Sequence, residues 1–250
     1  MWNIMRSEFY KVFKSKVTWV TQFVFLGIAA IRIVVVLFAK TKSGDWEMIM
    51  QNTGISVFST YPSGTLYFVL VALFVGGLVT SEYTTGTVKQ VVSRGVPRTQ
   101  IVIGQYVALS VAMTVITWIP SLLLMGIYSL AWSFGSISLG RFLLLIIAQI
   151  VVIWSYVAIS MLIGHVTRSG GLSVGINLII LLVGSMATSI AAVLLDWEWL
   201  IDYWLVTMQN TALSYASGVG TQCKYILILT LIGAVATGLS ALLFEKRDVQ

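Results

Sequence analysis

Residues 81–98 read SEYTTGTVKQVVSRGVPR, a polar and net-basic run set between two long apolar segments. Lys89, Arg94 and Arg98 outnumber its single acid, Glu82. Loops of this length rich in Lys and Arg stay on the inner side of a membrane, so the run is expected in the cytoplasm. Its pattern predicts a short helix. Thr84 or Thr85 caps the start, Val88, Val91 and Val92 share one face, and Gly95 with Pro97 ends it. A short amphipathic helix held in water between two spans offers a contact surface to a soluble partner.

The segments on either side set the class. The chain has 250 residues, 58% of them hydrophobic and only 10% charged, with a mean hydropathy of +0.95. Ordinary soluble domains carry roughly 25% charged residues. The apolar runs reach the roughly 20 residues that a spanning helix needs, whereas strands of a membrane barrel would be short and alternating. The expected fold is all-α, a polytopic membrane protein formed by residues 1–250 as one transmembrane domain. Its six transmembrane helices are expected at 17–39, 65–80, 100–128, 141–164, 171–195 and 221–244.

Residues 1–16 place Trp2, Met5, Phe9, Val12 and Phe13 at helical spacing, with Arg6, Lys11, Lys14 and Lys16 on or near the other face. That pattern predicts an amphipathic elbow helix lying in the interface, either a simple anchor or a contact with a partner subunit. No cleavable signal is expected, because the first apolar segment is span-length with no small-residue cleavage site behind it. With both termini cytoplasmic, the basic residues left outside are Lys40, Lys42, Arg141 and Lys224, a clear inward bias. Residues 40–64 then form an outer loop in which Trp46, Phe58 and Tyr61 suit the headgroup zone. Residues 196–220, with Asp196, Glu198 and Asp202 among Trp197, Trp199, Tyr203 and Trp204, form an outer interfacial segment.

Within the spans the polar positions are few. Arg32 lies in the outer half of the first span, close enough to its end to snorkel to the surface. Gln149 and Asn177 are candidate intramembrane hydrogen-bonding groups, and Gly171 and Gly175 have the small-xxx-small spacing that lets helices approach, within the chain or at a subunit interface. Pro120 predicts a bend in the third span. His165, the single histidine, is read as a solvated cap at the membrane edge, and Cys223 as filler.

Several motifs together resemble the ABC-2 type transporter permeases. Glu82-x-x-x-Gly86-Thr87-x-Lys89, then Ser93-x-Gly95-Val96-x-Arg98 and Ile101, is similar to the loop after that family's second span. Glu8-Phe9-Tyr10-Lys11 running into Trp19 resembles its N-terminal segment, and residues 244–249, FEKRDV, resemble its tail. Where such permeases often carry a Lys shortly after the Arg, this chain has Gln105. The resemblance implies the subunit of a bacterial plasma-membrane exporter, paired with a second permease of the same or a sister kind and driven by cytoplasmic ABC ATPase subunits. Glu82, Gly86, Thr87, Lys89, Gly95 and Arg98 would carry the coupling to the ATPase, and Glu8, Phe9 and Lys11 the elbow contact. It also implies a pair of short re-entrant helices between the fifth and sixth spans.

The chain lacks a Gly-x-x-x-x-Gly-Lys-Ser/Thr loop, so no ATP site of its own is expected; ATP and Mg would sit on the partner ATPase. There is no His-Glu-x-x-His and no acid within the predicted bilayer, which argues against an intramembrane protease, a lipid-modifying enzyme or a proton-coupled pump. The net charge of +6 sits beside the spans, so membrane lipid rather than nucleic acid is the expected partner. A lining of Leu, Val, Ile, Phe, Ser and Thr suits an amphipathic or hydrophobic cargo such as an antimicrobial peptide. A non-transporting peptide-binding or immunity protein is the alternative that the residues leave open.

Overall fold

The computed structural model describes residues 2–41, 53–86, 93, 97–197 and 199–246. All the regular structure among them is helical. The helices are α1 (Trp2–Lys14), α2 (Lys16–Thr41), α3 (Gly54–Thr60), α4 (Thr65–Thr84), α5 (Arg98–Ala131), α6 (Leu139–Thr167), α7 (Gly170–Leu195), α8 (Trp199–Asp202), α9 (Leu205–Leu213) and α10 (Val219–Lys246). Six of them, α2, α4, α5, α6, α7 and α10, are long and apolar enough to cross a membrane.

The spans are longer than hydropathy alone suggests, because each carries its polar end residues within the helix. α4 continues to Thr84 rather than ending at Thr80, so Glu82 stands on the last turn of a span. The hydroxyls of Thr84 and Thr85 both donate to the Ser81 carbonyl, closing α4 rather than capping a new helix. α5 begins at Arg98 and runs unbroken through Pro120 to Ala131. The elbow stops at Lys14. Ser15 breaks the chain and its hydroxyl accepts from the Val17 amide, which puts Lys16 at the start of α2.

Helices α4, α5 and α6 form the centre, with about half of each apolar stretch buried, while α7 has only 11% buried and stands at the periphery. Contacts in the centre are between bulky and small residues. Phe68 of α4 stacks on Tyr156 of α6 with ring centroids 3.7 Å apart. A Cβ at Gly164 would lie 3.0 Å from Val79, and one at Gly76 would lie 3.1 Å from the Ser173 hydroxyl. Between helices in lipid, where burial of apolar surface gives no net drive, such close approach supplies the attraction. Gly171 and Gly175 do not take part in it; both open onto space with nothing within 4 Å of an added Cβ.

The loop expected at 40–64 holds a buried helix. α3 seats its first amides, Gly54 and Ile55, on the carbonyls of Ser133 and Phe134. Phe58 and Tyr61 are 2% and 6% exposed, so they are core residues rather than headgroup anchors. The segment after α7 contains two short helices, with Met208, Gln209, Ala212 and Leu213 of α9 buried. Trp46 and Glu198 lie outside the described residues.

Candidate functional site at the end that carries both termini

One end of the bundle gathers α1, the last turns of α4, α6 and α10 and the first turns of α5. The side chains that meet there form a continuous polar chain. Lys11 of α1 contacts Glu8 at 2.5 Å and Glu82 of α4 at 3.4 Å. Glu82 accepts from Gln105 Nε2 of α5 at 3.1 Å. Gln105 Oε1 lies 3.0 Å from His165 Nε2 of α6, and His165 Nδ1 lies 2.6 Å from the Ser240 hydroxyl of α10.

This chain of contacts sets the proton positions. Gln105 gives its amide N–H to Glu82, which leaves its carbonyl oxygen facing the ring. His165 must then donate from Nε2, and Nδ1 accepts from Ser240. Five helices are thereby connected through side chains that each have one fixed role.

The electrostatics follow from burial. Glu8 is 2% exposed, held against α5 where Gly104 leaves room for its stem. Burial alone would lower the pKa of Lys11, but the carboxylates of Glu82 and Glu8 outweigh it and the ammonium stands above its ordinary value. Beside this cluster is a cavity of about 190 Å³ lined by Lys11, Ser15, Ser81, Glu82 and Gln105. Phe9, half-buried, stacks with Phe13 along α1.

Arg98 closes the same end. It is the first residue of α5, and its guanidinium donates to the carbonyls of Phe244 and Glu245 at 3.3 and 3.0 Å. These are among the last carbonyls of α10, which have no intrahelical donor and attract a cation. Arg168, the left-handed residue ending α6, lies over the ring of Tyr83, 5.5 Å from its centroid, and Tyr83 packs edge-on against His165. Gly86, at φ 67°, makes the turn that leaves α4, a conformation that favours glycine. Ser93 is helical and exposed. Thr87, Lys89, Arg94 and Gly95, and with them most of the expected loop helix, lie outside the described residues.

Of the residues picked from sequence, Glu8, Lys11, Glu82 and Arg98 thus come together around α5. Three participants were not among them: His165, Gln105 and Ser240. His165 is buried and doubly hydrogen-bonded instead of being a solvated cap, because α6 extends to Thr167 and carries it inside the bundle. Gln105 is the link between Glu82 and His165. Its signal was present: it stands seven residues after Arg98, on the same helical face of a span that is otherwise apolar there.

The remaining polar candidates lie elsewhere. Asn177 joins α7 to α6, accepting from Ser160 at 3.1 Å and donating to the Ser173 carbonyl of its own helix. Gln149 is fully buried and donates to the Phe58 carbonyl of α3 at 2.6 Å. Arg32 is exposed, with its guanidinium over the ring of Tyr61.

The six apolar helices make this a multi-pass membrane protein. No curated protein matches the chain in sequence. A family model described as ABC-2 family transporter protein matches residues 2–249, and the chain belongs to that family, as a membrane permease subunit of an ABC exporter.

Proposed function

We propose that the end carrying both termini is cytoplasmic and docks separate ATPase subunits, which hold the ATP and Mg, and that the polar chain from Lys11 through Glu82, Gln105 and His165 to Ser240 passes their motion to the spans. The observation that supports this is the chain itself. Glu82 stands where α4 enters the loop that would meet the ATPase, and its contacts reach α1, α5, α6 and α10 in succession. Displacing α4 or α1 therefore disturbs hydrogen bonds in three further helices, which is what a two-state packing biased by a bound partner requires.

Thr87, Lys89 and Gly95 belong to the docking loop in this reading, and Gly86 supplies its turn. The open flank of α7 at Gly171 and Gly175 is the face offered to a second permease. The cargo is amphipathic or hydrophobic, an antimicrobial or other peptide, and the membrane is the bacterial plasma membrane. The test is affinity purification of the detergent-solubilised chain from its native membranes, wild type against a Glu82→Ala/Arg98→Ala double variant. An ATPase recovered with the wild type and at least several-fold depleted with the variant is the expected result. No ATPase at all, under conditions that keep other transporter complexes intact, overturns the proposal.

A further inference from the structure

Arg32 has no part in the polar chain. It stands six residues before Phe38, the end of the apolar stretch of α2, or roughly 9 Å along the axis. It makes no ion pair among the described residues, yet a lone cation facing hydrocarbon is costly. Two cavities flank it. One of about 360 Å³ is bounded by α2, α3 and α5, with Ser56, Thr60 and Tyr128 in its wall. The other, of about 80 Å³, contains Tyr61 and Ser63. Arg32 lines both and is the charged residue in each lining. Tyr61 is held in place by donating its hydroxyl to the Phe25 carbonyl at 3.1 Å, so the ring face beneath the guanidinium is fixed before any ligand arrives.

We propose that this groove binds the headgroup of an anionic phospholipid, with Arg32 pairing its phosphate. A guanidinium matches phosphate with two parallel N–H donors, and the pairing neutralises the charge where it stands. The surroundings select a lipid over free phosphate. Ile31, Val35 and Leu66 are exposed and apolar around the cation, a surface for acyl chains that an inorganic ion cannot use. The site is independent of any ATPase.

The test is native mass spectrometry of the full chain in dodecyl maltoside, titrated with dioleoyl phosphatidylglycerol or dioleoyl phosphatidylcholine. The wild type is expected to retain phosphatidylglycerol preferentially, and Arg32→Gln to weaken that retention about fivefold, the contribution of one basic residue at an anionic surface. Arg32→Lys is expected to lose less, because the charge remains while the two-donor geometry goes. Should Arg32→Gln not be monodisperse, Val35→Asp places a carboxylate one turn away and is expected to lower retention likewise. Equal retention by the wild type and these variants overturns the site. So does an equal loss in Lys224→Gln, which would trace binding to diffuse charge, and so does displacement of the lipid by millimolar inorganic phosphate.

Discussion

Arg98 and Gln149 meet the same requirement at opposite ends of the bundle. Each satisfies carbonyls at the C-terminal end of a helix that has run out of its own donors. Arg98 reaches the end of α10 with a charged, partly exposed guanidinium. Gln149 reaches Phe58 of α3 with a neutral amide in a fully buried position, where Ser121 donates to the same oxygen at 3.4 Å. The first end also contains Glu8, Lys11, Glu82 and His165; at the second, Phe58 is held by hydroxyls, amides and close backbone contact, with Arg32 exposed at the rim. Charges gain or lose energy over several ångströms as their surroundings change, whereas a buried neutral hydrogen bond is made or broken. Under the proposed function, the difference suits the charged end to movement and the seat of Phe58 to rigidity.

That contrast can be tested in steps. The largest effect is expected from Gln105→Leu, which strips partners from both His165 and Glu82 at once; each buried group left unsatisfied costs about 1–3 kcal/mol. Thermal unfolding of the purified chain should register a fall of about 2–5 kcal/mol in stability, and a loss below 1 kcal/mol would mean that the polar chain is not a structural unit.

Gly54→Ala examines the other end. An added Cβ would stand 2.1 Å from the Ser129 hydroxyl and 2.7 Å from the Met125 backbone oxygen, so α3 must shift. A cost of about 1–3 kcal/mol is expected, with faster proteolysis between α2 and α4 as the readout. Unchanged cleavage would show the second end to be the looser one. The smallest effects separate the two kinds of bond. Gln149→Leu is expected to cost about 1 kcal/mol at any ionic strength, and Arg98→Met about 0.5–1 kcal/mol in low salt but little at 1 M. Equal salt dependence of the two variants would remove the contrast.

The elements legible in the sequence were those governed by local chemistry over many residues. α2 shows this, because a run of apolar residues longer than a bilayer is thick has one solution in lipid, a helix with every backbone group paired within itself. The polarity of the run from residue 81 to 98 was equally local. α3 was not legible: a seven-residue stretch of mixed polarity in a loop becomes helical here because its first amides find acceptors in the loop between α5 and α6 and its Phe58 carbonyl finds donors on both helices.

His165 failed for the same reason, since whether a polar residue at the end of a span faces water or the bundle depends on how far the neighbouring spans extend. Gly171 and Gly175 had the right spacing, but Gly76 and Gly164 make the close approach, because contact is decided by which faces meet. The amino-acid sequence by itself therefore determined the membrane class, the six spans and the polar residues near their ends. Only the tertiary structure decided that five helices meet at Glu82, Gln105 and His165, because a hydrogen bond between residues 60 positions apart is specified by helix packing and leaves no periodic mark on the chain.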